Sequence, residues 1–252
     1  MTAVLRDTAT VFLRESMPSL RAPWGLVFGM LQPLVFLLLF GPLLGGMPGL
    51  PSESGWQWFV PAILVMLALF GTTGTGYMLL TEMQTGSHER LLVTPMNRSA
   101  MLVGRSLKDV GELLVQGVLI CAVMVPFGFR LYPVGALTGF ALLAVVGVGM
   151  GALSYALAIA CRKNQEMFYM VQQSLLFPLL FLSGMMLPLD MGPSWMQAVG
   201  RLNPLTPVVE AMRTLFAGDV LAPVVLRGWI AAAAIAVIGV ALGTRGMRHS
   251  NT

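Results

Sequence analysis

The sequence predicts an all-α membrane protein. It has six transmembrane helices with both termini on the cytoplasmic side, an amphipathic interfacial helix before the first, and short outer helices before the last. Three observations carry that expectation. Of the 252 residues, 56% are hydrophobic and only 10% charged, far from the composition of a soluble domain. The apolar residues gather in six stretches that are long enough, or nearly so, to cross a hydrocarbon core about 30 Å thick at about 1.5 Å rise per residue. Lys and Arg fall mostly on one side of the resulting connections.

Residues 1–22 form the interfacial helix, with Leu5, Ala9, Phe12, Leu13 and Leu20 toward one side and Asp7, Arg14 and Arg21 toward the other. Pro18 and Pro23 end or kink it, and Trp24 anchors the turn into the bilayer. A cleavable signal peptide fits poorly, because the first 23 residues carry three Arg and two acids and the next 21 exceed an h-region. The first two spans cover 24–44 and 57–80, joined by a Gly- and Pro-rich outer loop whose only charge is Glu53. The inner connection, 81–107, is the most charged part of the chain, and Pro95 divides it into two potentially helical pieces.

The third span covers 108–129. Only 17 of its residues, 113–129, form an uncharged run, so it recruits the turn containing Glu112. There Asp109 and Glu112 lie beside Lys108 and Arg105, as expected of an interfacial salt-bridge cluster. The fourth span, 134–161, belongs to an uncharged run of 31 residues that either tilts or spends its start on an outer turn. A tight hairpin leads to the fifth span, 167–189. Residues 190–222 are too apolar for an ordinary loop and suit two short helices, which lie in the outer interface or dip back into the bundle. Asn203-Pro204 separates them, Thr206 caps the second with Pro207 in its first turn, and Gly218 ends it. The last span is 223–244. Absence of period-two alternation makes all of these helices rather than barrel strands. The whole chain, 1–252, reads as one transmembrane domain.

With both termini inside, eleven cations are cytoplasmic: Arg6, Arg14, Arg21, Arg90, Arg98, Arg105, Lys108, Arg162, Lys163, Arg245 and Arg248. Four, namely Arg130, Arg201, Arg213 and Arg227, are outside. The net charge of +4 is thus a topology signal that points to lipid and not to nucleic acid. Cys121 and Cys161 lie far apart in predicted spans and read as packing residues. The two histidines, His88 and His249, lack metalloprotease spacing, and no phosphate-binding Gly-x-x-x-x-Gly-Lys-Ser/Thr occurs, so nucleotide hydrolysis would belong to another chain.

The segment Glu82-Met83-Gln84-Thr85-Gly86-Ser87-His88-Glu89-Arg90-Leu91-Leu92-Val93-Thr94-Pro95, continuing to Gly104-Arg105, resembles the first cytoplasmic loop of type-2 permeases of ATP-binding-cassette (ABC) exporters, the daunorubicin-resistance permeases among them. It departs from the family pattern in Ser87-His88 for Thr-Leu and in Arg105 for Lys. A second block resembles the family signature between the last two spans: Leu182-Ser183-Gly184, Pro188, Pro193, Trp195, Asn203-Pro204-Leu205-Thr206 and Glu210-Ala211-Met212-Arg213. The blocks occur in the family order.

The resemblance implies a non-catalytic permease subunit of the cell membrane that exports drugs, antibiotics or lipid-like compounds. It needs no cofactor of its own, since ATP and Mg would be bound by a partner ABC ATPase. It also implies a second permease chain, identical or homologous. The inner loop would be a coupling helix carried by Glu82, Gly86, Glu89, Arg90, Leu91, Thr94 and Pro95, its charges orienting the docking, Leu91 filling a groove, and Gly86 and Pro95 setting the turns. Thr75, Tyr77, Gln172 and Gln173 offer polar faces for helix contact or substrate, while Gly71, Gly147 and Gly151 suit close helix approach. Nineteen methionines suit a surface that accepts varied hydrophobic molecules, and the bare spans argue against a strongly anionic cargo. An ion-gradient-driven secondary transporter stays open as an alternative, although it would need more ionisable groups within its spans. A non-transporting membrane scaffold stays open too.

Overall fold

Every described element is helical, as long apolar runs without alternation dictate. The computed structural model describes residues 8, 10–13, 15–17, 24–45, 55–84, 98–162 and 164–249. In chain order the helices are α1 (Trp24–Gly45), α2 (Gly55–Gln84), α3 (Arg98–Met124), α4 (Pro133–Ala160), α5 (Gln165–Phe181), the short α6 (Ser194–Leu202) and α7 (Thr206–Phe216), and α8 (Pro223–His249). Helical residues between 8 and 17 precede them, and Val11 packs against Gly104 at the start of α3.

Among the described residues, four helices are long and apolar enough to cross a membrane: Gly55–Gln84, Gly104–Phe127, Pro133–Ala160 and Pro223–Gly246. The apolar part of α1, Val27–Leu43, is shorter, and α5 has 17 residues. α2 is the centre of the bundle. Every residue from Trp58 to Leu69 is buried, so this helix is apolar on all sides because α1, α3, α4, α5 and α7 surround it.

α3 begins at Arg98, so the helical piece expected after Pro95 in the inner connection runs straight on into the third span; Gly104 and Arg105 hold this turn against the N-terminal residues. α5 ends at Phe181, well before residue 189, because the chain turns at Gly184, whose φ of +72° lies where a side chain would be strained.

α4 and α8 cross closely. A Cβ on Gly149 would stand 2.8 Å from the Ala236 backbone, and Gly239 lies against the Gly149 carbonyl in return. Gly147 meets a side chain instead, Leu113 Cδ2 at 2.7 Å, while Gly71 meets nothing within 4 Å. The small-residue crossing therefore belongs to Gly149 and Gly239, positions that helical spacing alone did not single out.

Candidate functional site

The second signature block folds into a latch over the end of α5. A helix leaves its last four carbonyls without intrahelical partners. Here the Leu182 N–H donates to Pro178 O at 2.9 Å, Asn203 Nδ2 donates to Leu179 O at 2.8 Å, and Ser183 Oγ donates to Leu180 O at 2.7 Å. Asn203 also accepts from the Leu205 N–H at 3.0 Å through Oδ1, so this one side chain shapes the α6–α7 turn and ties it to α5. Thr206, expected to cap α7, instead donates to Gly200 O at 2.7 Å. The N-cap position is occupied by Leu205 without a side-chain cap, and Asn203 does the tying. Gly218, with φ +97°, closes α7 as expected.

Arg213 completes the latch. Its Nε donates to Trp58 O at 3.0 Å and its Nη2 to Gly184 O at 2.8 Å, while the guanidinium lies 3.5 Å from the centre of the Trp58 ring. Burial pushes this guanidinium down to about 9, with Glu210 acting in the opposite direction, so it stays charged at neutral pH. Glu210 and Pro204 are exposed and Pro188 is half-buried at the rim. At the same end Gln57 bridges Arg130 and α7: its Nε2 donates to Phe216 O at 2.6 Å and its Oε1 accepts from the Arg130 N–H at 3.1 Å.

The opposite end of the bundle holds two ion-pair groups. Arg105 is buried and pairs with Glu82 at the end of α2, and with Glu15 of the N-terminal segment at 3.5 Å. One turn on, Lys108 lies 3.4 Å from both Asp109 and Glu112. Tyr155 on α4 donates its hydroxyl to Asp109 Oδ2 at 3.0 Å. The expected cluster of Arg105, Lys108, Asp109 and Glu112 is thus two linked groups that gather four separate segments of chain. Glu15 and Tyr155 were not singled out from the sequence, since nothing local marks a partner so far along the chain.

Of the expected coupling residues, Glu82 is in this junction. Gly86, Glu89, Arg90, Leu91, Thr94 and Pro95 lie outside the described residues. The four polar residues of the second and fifth spans do not converge. Thr75 lines a cavity between α1, α2 and α3, whereas the Tyr77 ring packs on Tyr169 with centroids 5.2 Å apart. Gln172 is buried on α5, its Oε1 without a hydrogen-bond partner among the described residues, and Gln173 is exposed.

Residues 6–217 match the family model described as ABC-2 type transporter. The chain is 34% identical over 201 residues to the ycf38 transport permease of Cyanophora paradoxa, covering 78% of this chain and 69% of that one. It is 29% identical over 213 residues to the daunorubicin resistance ABC transporter permease protein DrrB1 of Streptomyces coeruleorubidus, covering 84% and 75%. To the doxorubicin resistance ABC transporter permease protein DrrC of Mycobacterium tuberculosis it is 26% identical over 221 residues, covering 84% and 79%.

Proposed function

The chain belongs to the ABC-2 type transporter family, and from that premise we infer that it is the permease subunit of an ATP-driven exporter of hydrophobic or amphiphilic small molecules. The match over residues 6–217 carries the reading. ATP and Mg would be bound and ATP hydrolysed by a separate ABC ATPase subunit, and a second permease chain, identical or homologous, would complete the assembly. We count α1 and α5 as the two remaining spans of six. The end bearing Glu82 and Arg105 is then cytoplasmic, and the latch around Arg213 lies on the outer side of the cytoplasmic membrane.

In this reading the segment after Glu82 docks on the ATPase through Glu89, Arg90 and Leu91, with Gly86, Thr94 and Pro95 shaping its turns. A displacement of that segment enters the bundle where Arg105 holds Glu82 and Glu15 together, so α2, α3 and the N-terminal segment would move as one body. Large apolar side chains exposed along α1 (Phe28, Leu31, Leu38, Leu39) and α5 (Met170, Leu175, Phe177, Phe181) suit lipid or the second permease chain.

The deciding experiment reconstitutes the chain with its nucleotide-binding subunit. It compares ATPase activity with and without candidate amphiphiles for wild type and Glu89→Ala. Stimulation that vanishes in the variant supports both the export function and the coupling segment. Failure to associate with any ATPase, with transport that dies on collapsing an ion gradient, would replace this reading with a secondary transporter.

A further inference from the structure

Members of both ion-pair groups meet around one small space. Glu15, Glu82 and Arg105 line it from one group, Lys108 and Asp109 from the other, and Thr75, Leu79 and Tyr155 complete the wall that matters here. Its volume is about 20 Å³. A water molecule needs roughly 10–15 Å³ of such space and about three polar partners, whereas organic ligands occupy sites of roughly 300–1,000 Å³. The lining carries both signs. A cation there would face the Arg105 guanidinium and the Lys108 ammonium, and an anion would face the carboxylates of Glu15, Glu82 and Asp109. A neutral molecule that donates and accepts at once suits both.

Thr75 supplies the independent observation. A threonine inside a helix ordinarily bonds a carbonyl of the preceding turn. Thr81, Thr138, Thr214 and Thr244 each donate to the carbonyl four residues back, at 2.7–3.0 Å. The Thr75 hydroxyl, although half-buried and inside α2, makes no hydrogen bond among the described residues. Its neighbours in the wall have capacity to match. Of the three donors on the Lys108 ammonium, Asp109 and Glu112 take two. Arg105 serves Glu82 and Glu15 through Nη2 alone, and the Tyr155 oxygen, having donated its proton to Asp109, keeps its lone pairs. Polar groups withdrawn from solvent without partners are costly, and a bridging water relieves them nearly as well as a direct bond does.

We propose that this space binds one ordered water, held by Thr75, Lys108 and the Arg105–Glu82 pair, which joins the two ion-pair groups into a single network. Through Tyr155, α4 then shares the junction that the N-terminal segment, α2 and α3 form around Arg105. The site is independent of the exporter reading and stands whatever the chain transports.

The test is hydroxyl-radical labelling of the full chain in detergent by X-ray pulses, read by mass spectrometry. Radicals form at bound water as well as in bulk solvent, and they oxidise the side chains beside it. Leu79 lines the space and is 2% exposed; its neighbour Leu80 is fully buried and does not line it; Leu221, 95% exposed, reports bulk solvent. All three are leucines, so their intrinsic reactivity is the same. Leu79 should be oxidised severalfold faster than Leu80. Glutathione, a radical scavenger too large for the space, should suppress labelling of Leu221 and spare Leu79. Thr75→Val, which removes the hydroxyl at constant shape, should slow Leu79 labelling, and Thr75→Ile, which also fills the space, should bring it down to that of Leu80. The bridge is read separately: the coupling between Arg105→Gln and Tyr155→Phe in melting temperature should shrink in Thr75→Ile. Equal labelling of Leu79 and Leu80 would overturn the site. So would suppression of Leu79 in step with Leu221, the mark of bulk solvent. Coupling unchanged by Thr75→Ile would overturn the bridge. If Thr75→Ile fails to fold, Leu79 against Leu80 in wild type and in Thr75→Val decides the site, and the coupling is measured in Thr75→Val.

Discussion

Arg213→Met is expected to destabilise the protein by about 2–4 kcal/mol. The wild-type guanidinium makes two well-formed charge-assisted hydrogen bonds, to Trp58 O at 3.0 Å and Gly184 O at 2.8 Å, with a longer third to Met185 O at 3.4 Å. Each good one contributes about 1.5–3 kcal/mol, and the stacking on Trp58 contributes about 1–2 kcal/mol where water is excluded. Against that sum stands the cost of burying the cation, relieved in the variant, which brings the net loss down to the stated range. Arg213→Lys keeps the charge but cannot present a planar fork to carbonyls on two segments, so it should lose about half as much. Unfolding monitored in mixed micelles of increasing denaturing detergent gives both differences. A cycle with Trp58→Leu isolates the ring contact, for which about 1–2 kcal/mol of coupling is expected. Two outcomes would refute the reasoning. Stability unchanged within about 0.5 kcal/mol for both variants would mean that the latch carries no load. A lysine variant less stable than the methionine one would mean that charge burial outweighs the fork geometry.

Contacts elsewhere in the bundle set three further expectations. Asn203→Ala removes the donor to Leu179 O and the acceptor for the Leu205 N–H, so it should cost about 1–2 kcal/mol and accelerate hydrogen exchange at Leu205; unchanged exchange there would contradict the assignment. Gly149→Leu should lower the melting temperature, since its Cβ would start 2.8 Å from the Ala236 backbone and force α4 from α8 at about 1–3 kcal/mol or more, whereas Gly111→Ala, inside α3 with nothing within 4 Å, should raise stability by about 0.5–1 kcal/mol. Arg105→Gln should release Glu15 and Glu82 from each other, leaving basal ATPase intact in the reconstituted complex but abolishing its stimulation by amphiphiles; full stimulation would show that the junction does not transmit.

Much of the helical layout was legible because apolar run length and turn chemistry are local properties. The two outer helices are where Asn203-Pro204 and Gly218 place them, and α4 starts within a residue of its expected position. What the sequence could not convey depends on partners brought in by folding. Thr206 has the residue type of a cap, yet Gly200 and Leu182 present carbonyls to its hydroxyl from outside the helix, and these take it. The run to residue 189 is apolar enough to continue a span, but the turn at Gly184 supplies carbonyls that Arg213 requires. Lys108, Asp109 and Glu112 were visible as neighbours, whereas Glu15, Glu82 and Tyr155 reach the same end of the bundle only through tertiary packing. Likewise, nothing in a helical repeat separates Gly149, which touches another backbone, from Gly74, which borders empty space.

The burial of α2 on every side between Trp58 and Leu69 has a mechanical consequence. This helix is 30 residues long, about 45 Å at roughly 1.5 Å per residue, and the one helix, with Pro61 inside it, carries both Glu82 and Trp58. Between Trp58 and Leu69 its neighbours grip it all round, so it has no free flank along which to bend away. In the proposed coupling it would serve as a connecting rod. A push received at the ionic joint near Glu82 would arrive at the carbonyl of Trp58, where the Arg213 fork is fastened, and the two conspicuous polar assemblies would be the two bearings of a single shaft.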